Sequence, residues 1–275
     1  MRISYRREFM EIIPWLVGAY VLLCAGAYFG NRVFMYHPDP MRVAPAEAGL
    51  GGVGEIELKT PDGETLIAWY SKAKPGQPTI LYFHGNAANA ANRADKIDTM
   101  RSRGAGVFYL NNRGYGGSTG KPTEAHNVAD AGTAYAYLRA QGIAAKDIVL
   151  YGESLGSGQA TQLGSKEEAA AVILEAPLTS TADVGRRTYF FLPLGLLLTD
   201  RFANIEDVKG VYVPLLVLHG EQDGVIPVQM GKDVYAAANE PKKLELFPEA
   251  NHADLFEHGA WDKAWAFIES VRKKR

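Results

Sequence analysis

Gly152-Glu153-Ser154-Leu155-Gly156 sets a serine between two glycines, each two positions away. The pentapeptide follows the apolar run Ile148 to Tyr151 and opens a helical pattern. In that context G-x-S-x-G reads as a sharp strand-to-helix turn that holds the hydroxyl out at the strand's carboxyl end, beside the positive end of a helix. A serine hydroxyl is a poor nucleophile at neutral pH, so a base with a pKa near 7 has to reach it from elsewhere. Of the six histidines, His252 lies in Glu249-Ala250-Asn251-His252-Ala253-Asp254, after the last apolar strand pattern and before the last helix. His84 and His219 each close an apolar run before a glycine and read as turn-shaping residues. His37 lies in a linker, and His126 and His258 fall on or beside helices, where exposure is the default.

A base in this role needs an acid that fixes its tautomer and stabilises the imidazolium. Asp223 stands just past the run Leu215 to Leu218; Glu221 is its closest rival, and Asp254 is too near His252 in sequence. The chain order is therefore Ser154, Asp223, His252. Acyl transfer also needs N–H donors for an oxyanion. The Leu155 amide is one candidate. The Asn86 amide is the other, in His84-Gly85-Asn86-Ala87, where Gly85 lets the backbone come close to a substrate.

These residues sit at the ends of apolar runs that have to be strands. Strands are expected at Ile56 to Leu58, Leu66 to Tyr70, Ile80 to Phe83, Val107 to Leu110, Ile148 to Tyr151, Ala171 to Leu174, Leu215 to Leu218 and Leu244 to Phe247. Helical patterns cover Arg93 to Arg103, Glu124 to Gln141, Gly156 to Gly164, Val228 to Ala238 and Trp261 to Arg275. Strand and helix alternate from Ile80 onward, which demands a mostly parallel sheet with helices on both faces. Runs such as Ile80-Leu81-Tyr82-Phe83 do not alternate with polar residues, as befits strands buried on both faces. The fold class is α/β, doubly wound.

With 275 residues, 29 basic against 31 acidic and a formal charge of −2, the chain lacks the clustered positive charge that nucleic-acid binding needs. The one cysteine, Cys24, excludes an internal disulfide and sites built on several thiolates. From Ile12 to Asn31 no residue is charged, and at the helical rise this stretch spans about 30 Å, the thickness of a bilayer's hydrocarbon. A single-pass anchor is expected, with a cleaved signal peptide ending near Ala25-Gly26-Ala27 as the alternative. Arg2, Arg6 and Arg7 precede the stretch and only Arg32 and Arg42 follow soon after, which puts the N-terminus in the cytoplasm and the main domain on the other side. The expected organisation is an anchor over 1–32, a Pro- and Gly-rich linker over 33–54 and the α/β domain over 55–275.

Taken together, His84-Gly85-Asn86-Ala87, Arg113-Gly114-Tyr115-Gly116-Gly117-Ser118, Gly152 to Gly156, Ala176-Pro177-Leu178-Thr179-Ser180, the stretch His219 to Pro227 and Asn251-His252-Ala253-Asp254 resemble the membrane-anchored serine α/β-hydrolases that include protein-depalmitoylating thioesterases. The resemblance covers nearly everything after about residue 55. It implies Ser154 as nucleophile, Asp223 as acid, His252 as base and Asn86 and Leu155 as oxyanion donors, acting on an acyl substrate that includes acylated proteins. One departure bears on Arg113: relatives usually carry aspartate where Asn111 stands.

Other motifs fail on their spacing. Position 119 is Thr where G-x-G-x-x-G needs glycine, Pro122 follows Gly120-Lys121 where a P-loop needs Ser or Thr, and no metal-ligand spacing occurs. No cofactor and no metal are expected. A segment at about 178–210 exceeds a simple crossover and contains Tyr189 to Leu198, ten uncharged residues too short to span a bilayer. It reads either as a packed crossover helix or as a lid whose Phe190, Phe191, Leu194 and Leu197 hold an acyl chain. The leading functional expectation is a membrane-tethered serine hydrolase of carboxylic esters or thioesters. The alternatives are a serine peptidase on the same fold and a catalytically silent binding or scaffold protein.

Overall fold

The structure, a computed structural model, describes residues 2–273, with the side chains of residues 2–11 and of Ala88 outside the description. In chain order the elements are α1 (Arg2–Met35), β1 (His37–Pro38), β2 (Gly54–Lys59), β3 (Thr65–Ser71), β4 (Thr79–Phe83), β5 (Ala87–Ala88), α2 (Ala94–Ser102), β6 (Gly106–Leu110), α3 (Glu124–Ala140), β7 (Ile148–Glu153) and α4 (Gly156–Gly164). There follow β8 (Ala171–Glu175), α5 (Thr181–Arg186), α6 (Leu194–Leu197), α7 (Asn204–Asp207), β9 (Leu215–Gly220), α8 (Val228–Ala237), β10 (Lys242–Phe247) and α9 (Ala260–Arg272). The main sheet has eight strands in the order β10-β9-β8-β7-β4-β6-β3-β2. It is parallel from β10 to β6, and β3 and β2 continue it antiparallel at one edge.

Successive residues of the central strands feed opposite layers of core, as a period of two requires. Ile80, Tyr82, Tyr109 and Tyr151 face α2 and α9, against Met100, Trp261 and Ile268. Leu81, Phe83, Phe108 and Leu150 face α3, α4 and α8, against Leu138, Leu163 and Val234. Both faces are closed to water, so no polar residue interrupts these strands until their carboxyl ends. Helix α3 starts where Thr123 accepts a hydrogen bond from the His126 amide at 3.0 Å, a side-chain cap.

All eight expected strands are present, several of them longer than their apolar runs. Strand β7 continues through Gly152 and Glu153, and β9 through His219 and Gly220, because ladder partners in β8 and β10 are still available there. The last helix, expected to reach Arg275, is described to Arg272; residues 274–275 lie outside the described range.

Helix α1 runs past the expected boundary at residue 32, and its stretch Ile12–Met35 is long and apolar enough to cross a membrane. Arg2, Arg6 and Arg7, which decide the orientation expectation, lie outside the described side chains. The following stretch differs from a free linker. Tyr36 and Leu50 are buried, and His37–Pro38 pair in parallel with Ala87–Ala88. The segment at 178–210 is neither one crossover helix nor irregular: it forms the short helices α5, α6 and α7, with Pro193 at the start of α6.

Asn111 does not pair with Arg113. The Arg113 guanidinium holds Asp130 through two bonds of 2.8 Å and Asp62 through bonds of 2.5 and 2.9 Å. Asn111 instead donates its side-chain amide to the Ile67 carbonyl at 3.1 Å and accepts the Ala90 amide at 3.1 Å, fully buried. An aspartate here would set a carboxylate oxygen against a carbonyl. Asn111→Asp is expected to lower stability by about 1–3 kcal/mol in urea unfolding; unchanged stability would mean that Arg113 can re-pair with residue 111.

Candidate active site

Strand β7 ends in a bend that only its glycines permit. Ser154 has a φ of 54°, in the left-handed region that side chains other than glycine rarely adopt. A Cβ on Gly152 would lie 2.5 Å from the Gly156 carbonyl oxygen, and one on Gly156 would lie closer still to that of Phe83. The Ser154 amide donates to the Glu175 carbonyl at 2.8 Å, so the nucleophile candidate hangs from the last rung between β7 and β8. Gly85 approaches from β4: a Cβ there would be 3.3 Å from the Ser154 Cβ.

The loop between β10 and α9 brings His252 over this bend. His252 Nε2 is 3.0 Å from Ser154 Oγ and its Nδ1 is 2.7 Å from Asp223 Oδ2. With Nδ1–H donating to the carboxylate, Nε2 is left to accept the serine proton. Asp223 Oδ1 accepts the Val225 and Ile226 amides, both at 2.8 Å, which fixes the carboxylate plane. Burial acts to raise its pKa. Hydrogen bonds from His219 and His252, the charge of His252 and the Ile226 amide outweigh that and hold Asp223 below the usual carboxylate range. Asp223 thus stays ionised and acceptor-only across neutral pH. The rival acids stand elsewhere: Glu221 is exposed and Asp254 accepts its own loop's Asn251 amide at 2.6 Å.

The turn histidines do what their positions suggest. His219 Nε2 donates to the Ile226 carbonyl at 2.9 Å and stands 3.4 Å from Asp223 Oδ2, propping the acid's loop. His84 accepts the Asn112 amide on Nε2 at 3.0 Å and donates to the Gly85 carbonyl at 2.7 Å. Burial pushes its pKa down to about 4, so it is neutral and shapes the turn that carries Asn86.

Among the described residues, neither the Asn86 nor the Leu155 amide donates to a protein acceptor, and both residues border the same cavity as Ser154 and His252. The Asn86 carbonyl is taken by the His37 amide at 2.9 Å and the Tyr115 hydroxyl at 2.7 Å. The cavity holds about 840 Å³, within the usual span for small-molecule sites. Leu178, Val184, Ile226, Phe191 and Leu194 are among its walls. Of the four apolar residues singled out in the sequence, Phe191 and Leu194 therefore line it. Phe190 does not: it is 81% exposed on the outer side. Leu197 packs instead on the cluster of Ala182, Leu192 and Leu194, which Cys24 and Ala27 of α1 also touch.

Sequence reasoning missed two features. One is the wall contributed by α1, among it Leu22, Gly26, Ala27 and Met35; a helix apolar all round gives no periodic signal of which face it buries. The other is a buried ionic cluster beneath the elbow, whose only sequence sign is the glutamates that end β7 and β8. Arg93 holds Glu153 at 2.7 Å, and Lys96 holds Glu175 at 2.7 Å and Glu153 at 3.5 Å. The Tyr82 hydroxyl donates to Glu153 and that of Tyr151 to Glu175 at 2.6 Å. Burial works against the Glu153 charge, but Lys96 and Arg93 prevail and hold it below the usual carboxylate range. The residue before Ser154 is thereby locked on the tyrosine-lined face.

This strand order, with a serine at the central elbow and an acid and a histidine from the following loops, defines an α/β-hydrolase. Residues 74–193 match the family model described as serine aminopeptidase, S33. Human alpha/beta hydrolase domain-containing protein 17B is 30% identical over 210 residues, 74% of this chain and 70% of that one. An uncharacterized Mycobacterium tuberculosis protein is 34% identical over 227 residues, 82% of this chain and 81% of its own. The Pyrococcus furiosus esterase Pf2001 superposes with a TM-score of 0.68 at 20% identity, covering 86% of this chain and 99% of the esterase, a likeness of fold. The chain belongs to the α/β-hydrolase family.

Because a Cβ on Gly156 would strike main-chain oxygen rather than a movable side chain, Gly156→Ala is expected to cost at least about 1–3 kcal/mol of stability. Urea unfolding of the variant reads this; a midpoint equal to wild type would mean that the elbow relaxes freely.

Proposed function

We propose that this chain is a membrane-tethered serine hydrolase that cleaves carboxylic esters or thioesters of acyl groups through an acyl-enzyme. The observation that carries the reading is the relay Asp223–His252–Ser154, at 2.7 and 3.0 Å, opening on an apolar cavity of about 840 Å³. Ser154 Oγ attacks the acyl carbonyl carbon as its proton passes to His252 Nε2. The carbonyl oxygen, now an oxyanion, accepts the Asn86 and Leu155 amides. Collapse breaks the bond to the leaving oxygen or sulfur, and the imidazolium returns the proton to that atom. Water then gives a proton to His252 and attacks the acyl-serine. The carboxylic acid departs and Ser154 regains its hydrogen. Asp223 remains a carboxylate throughout and orients the ring.

The apolar walls favour an acyl group over a peptide. The family model's description names an aminopeptidase, yet among the described residues no Asp or Glu lines the cavity to receive a charged amino terminus. The sequence resemblance to depalmitoylating thioesterases supports acyl substrates, acylated proteins included. The helix Ile12–Met35 supplies the tether, and the excess of arginine before it supports a cytoplasmic N-terminus with the hydrolase domain on the opposite side.

A fluorophosphonate is expected to label the wild-type protein covalently and to leave Ser154→Ala unlabelled. Asp223→Asn, which turns a donor toward Nδ1 of His252, is expected to lower kcat on a short acyl ester by about 10³- to 10⁴-fold. A folded wild type that takes up no label would favour the silent scaffold. Labelling with hydrolysis of aminoacyl amides but of no ester would favour the peptidase.

A further inference from the structure

Helix α1 enters the site more deeply than a tether needs to. Leu22, Gly26, Ala27, Asn31 and Met35 line the chamber that holds Ser154 and His252. These positions recur at about one helical turn, so a single face of α1 runs beside the cavity from Leu22 to Met35, about 20 Å at the helical rise.

Polar contacts fix that face in place. Arg32 pairs with Asp200 through two bonds of 3.0 Å, and the Tyr36 hydroxyl donates to the same carboxylate at 3.0 Å. The Asn86 side-chain amide donates to the Met35 carbonyl at 3.0 Å, tying the end of α1 to the loop that carries an oxyanion donor. Further down, the Tyr20 hydroxyl donates to the Phe191 carbonyl at 2.7 Å.

The contact at Tyr20 sets the depth. Tyr20 lies well inside the uncharged stretch Ile12 to Asn31. From Ile12 to Ala19 only about 12 Å of apolar helix remains below it, far less than the ~30 Å of bilayer hydrocarbon. If α1 crosses a bilayer, the segment around Phe191 is carried to the depth of α1's own apolar residues. The outer side chains of that segment match: Phe190 is 81% and Leu196 82% exposed, and both are apolar.

We propose that α1 is the acyl-binding wall of this site, and that the long acyl chain of a bilayer-resident ester or thioester reaches Ser154 along α1 directly from the leaflet. The proposal rests on the acyl-hydrolase reading above and names where its substrate lies and how it enters. Gly26 is the gauge of it, since a Cβ there meets no atom within 4 Å and the residue borders the cavity. A large side chain at 26 would leave the helix through open space and extend along the cavity wall, in the path of the chain.

The test uses the full-length protein in phosphatidylcholine vesicles and reads the ratio of kcat/KM for long-chain over short-chain p-nitrophenyl esters. Gly26→Trp is expected to lower that ratio by about tenfold or more and Gly26→Leu by less. Gly18→Trp, also in open space but away from the cavity, is expected to leave it unchanged. An acylglycerol and an S-acylated peptide in the same vesicles separate the two sources of such a chain: the true source is the one whose hydrolysis falls with Gly26→Trp. Fluorophosphonate labelling reports that each variant is folded, and Gly26→Leu decides should the tryptophan variant not label. A wild-type ratio in labelled Gly26 variants would overturn the proposal while leaving the acyl-hydrolase reading intact. Wild type inert toward every acyl ester would overturn that reading itself.

Discussion

The left-handed backbone at Ser154 is the constraint around which the rest of the molecule is arranged. It is sparsely populated for any residue with a Cβ, and conformations of this kind persist only where the surroundings over-determine them. Here they do. Gly152 and Gly156 bring β7, α4 and the end of β4 within distances that a single added carbon would violate. The Ser154 amide completes the ladder to β8, and the Arg93–Glu153 pair pins the preceding residue on the opposite face. A central position in the sheet is therefore a physical necessity for the bend, because it needs a parallel neighbour on each side.

The loops on the same sheet edge are built by local rules once that bend exists. Asp223 is oriented by two amides of its own turn and by His219, so its geometry does not depend on His252. The imidazole is the movable partner, held by one carboxylate and one hydroxyl. This division of labour suits the proton exchange proposed for His252. Two largely buried charge networks lie near the sheet, Arg113 with Asp62 and Asp130, and Arg93 and Lys96 with the two glutamates. Among the described residues, no Asp, Glu, Lys or Arg lines the cavity itself.

The N-terminal helix belongs to the same construction. Its last turns are fastened by Asp200 and Asn86 to both the 178–210 segment and the loop from β4, so the site's mouth joins residues 168 positions apart in sequence. A chain region that composition marks as an appendage thus becomes part of the cavity wall.

The periodicity of the apolar runs, the glycines beside Ser154 and the order Ser154, Asp223, His252 were legible in the linear chain, because each is a local requirement: strands buried on two faces lose alternation, and a tight bend excludes Cβ atoms. Strand order and the pairing of Arg113 with Asp130 in place of residue 111 were decided only by tertiary structure, since they depend on which segments meet at one edge. The same holds for Phe190 turning outward while Phe191 turns in, and for the face of α1 that borders the cavity. A uniformly apolar segment carries no internal preference for direction, and only its neighbours, Asp200, Asn86 and Phe191, break that symmetry.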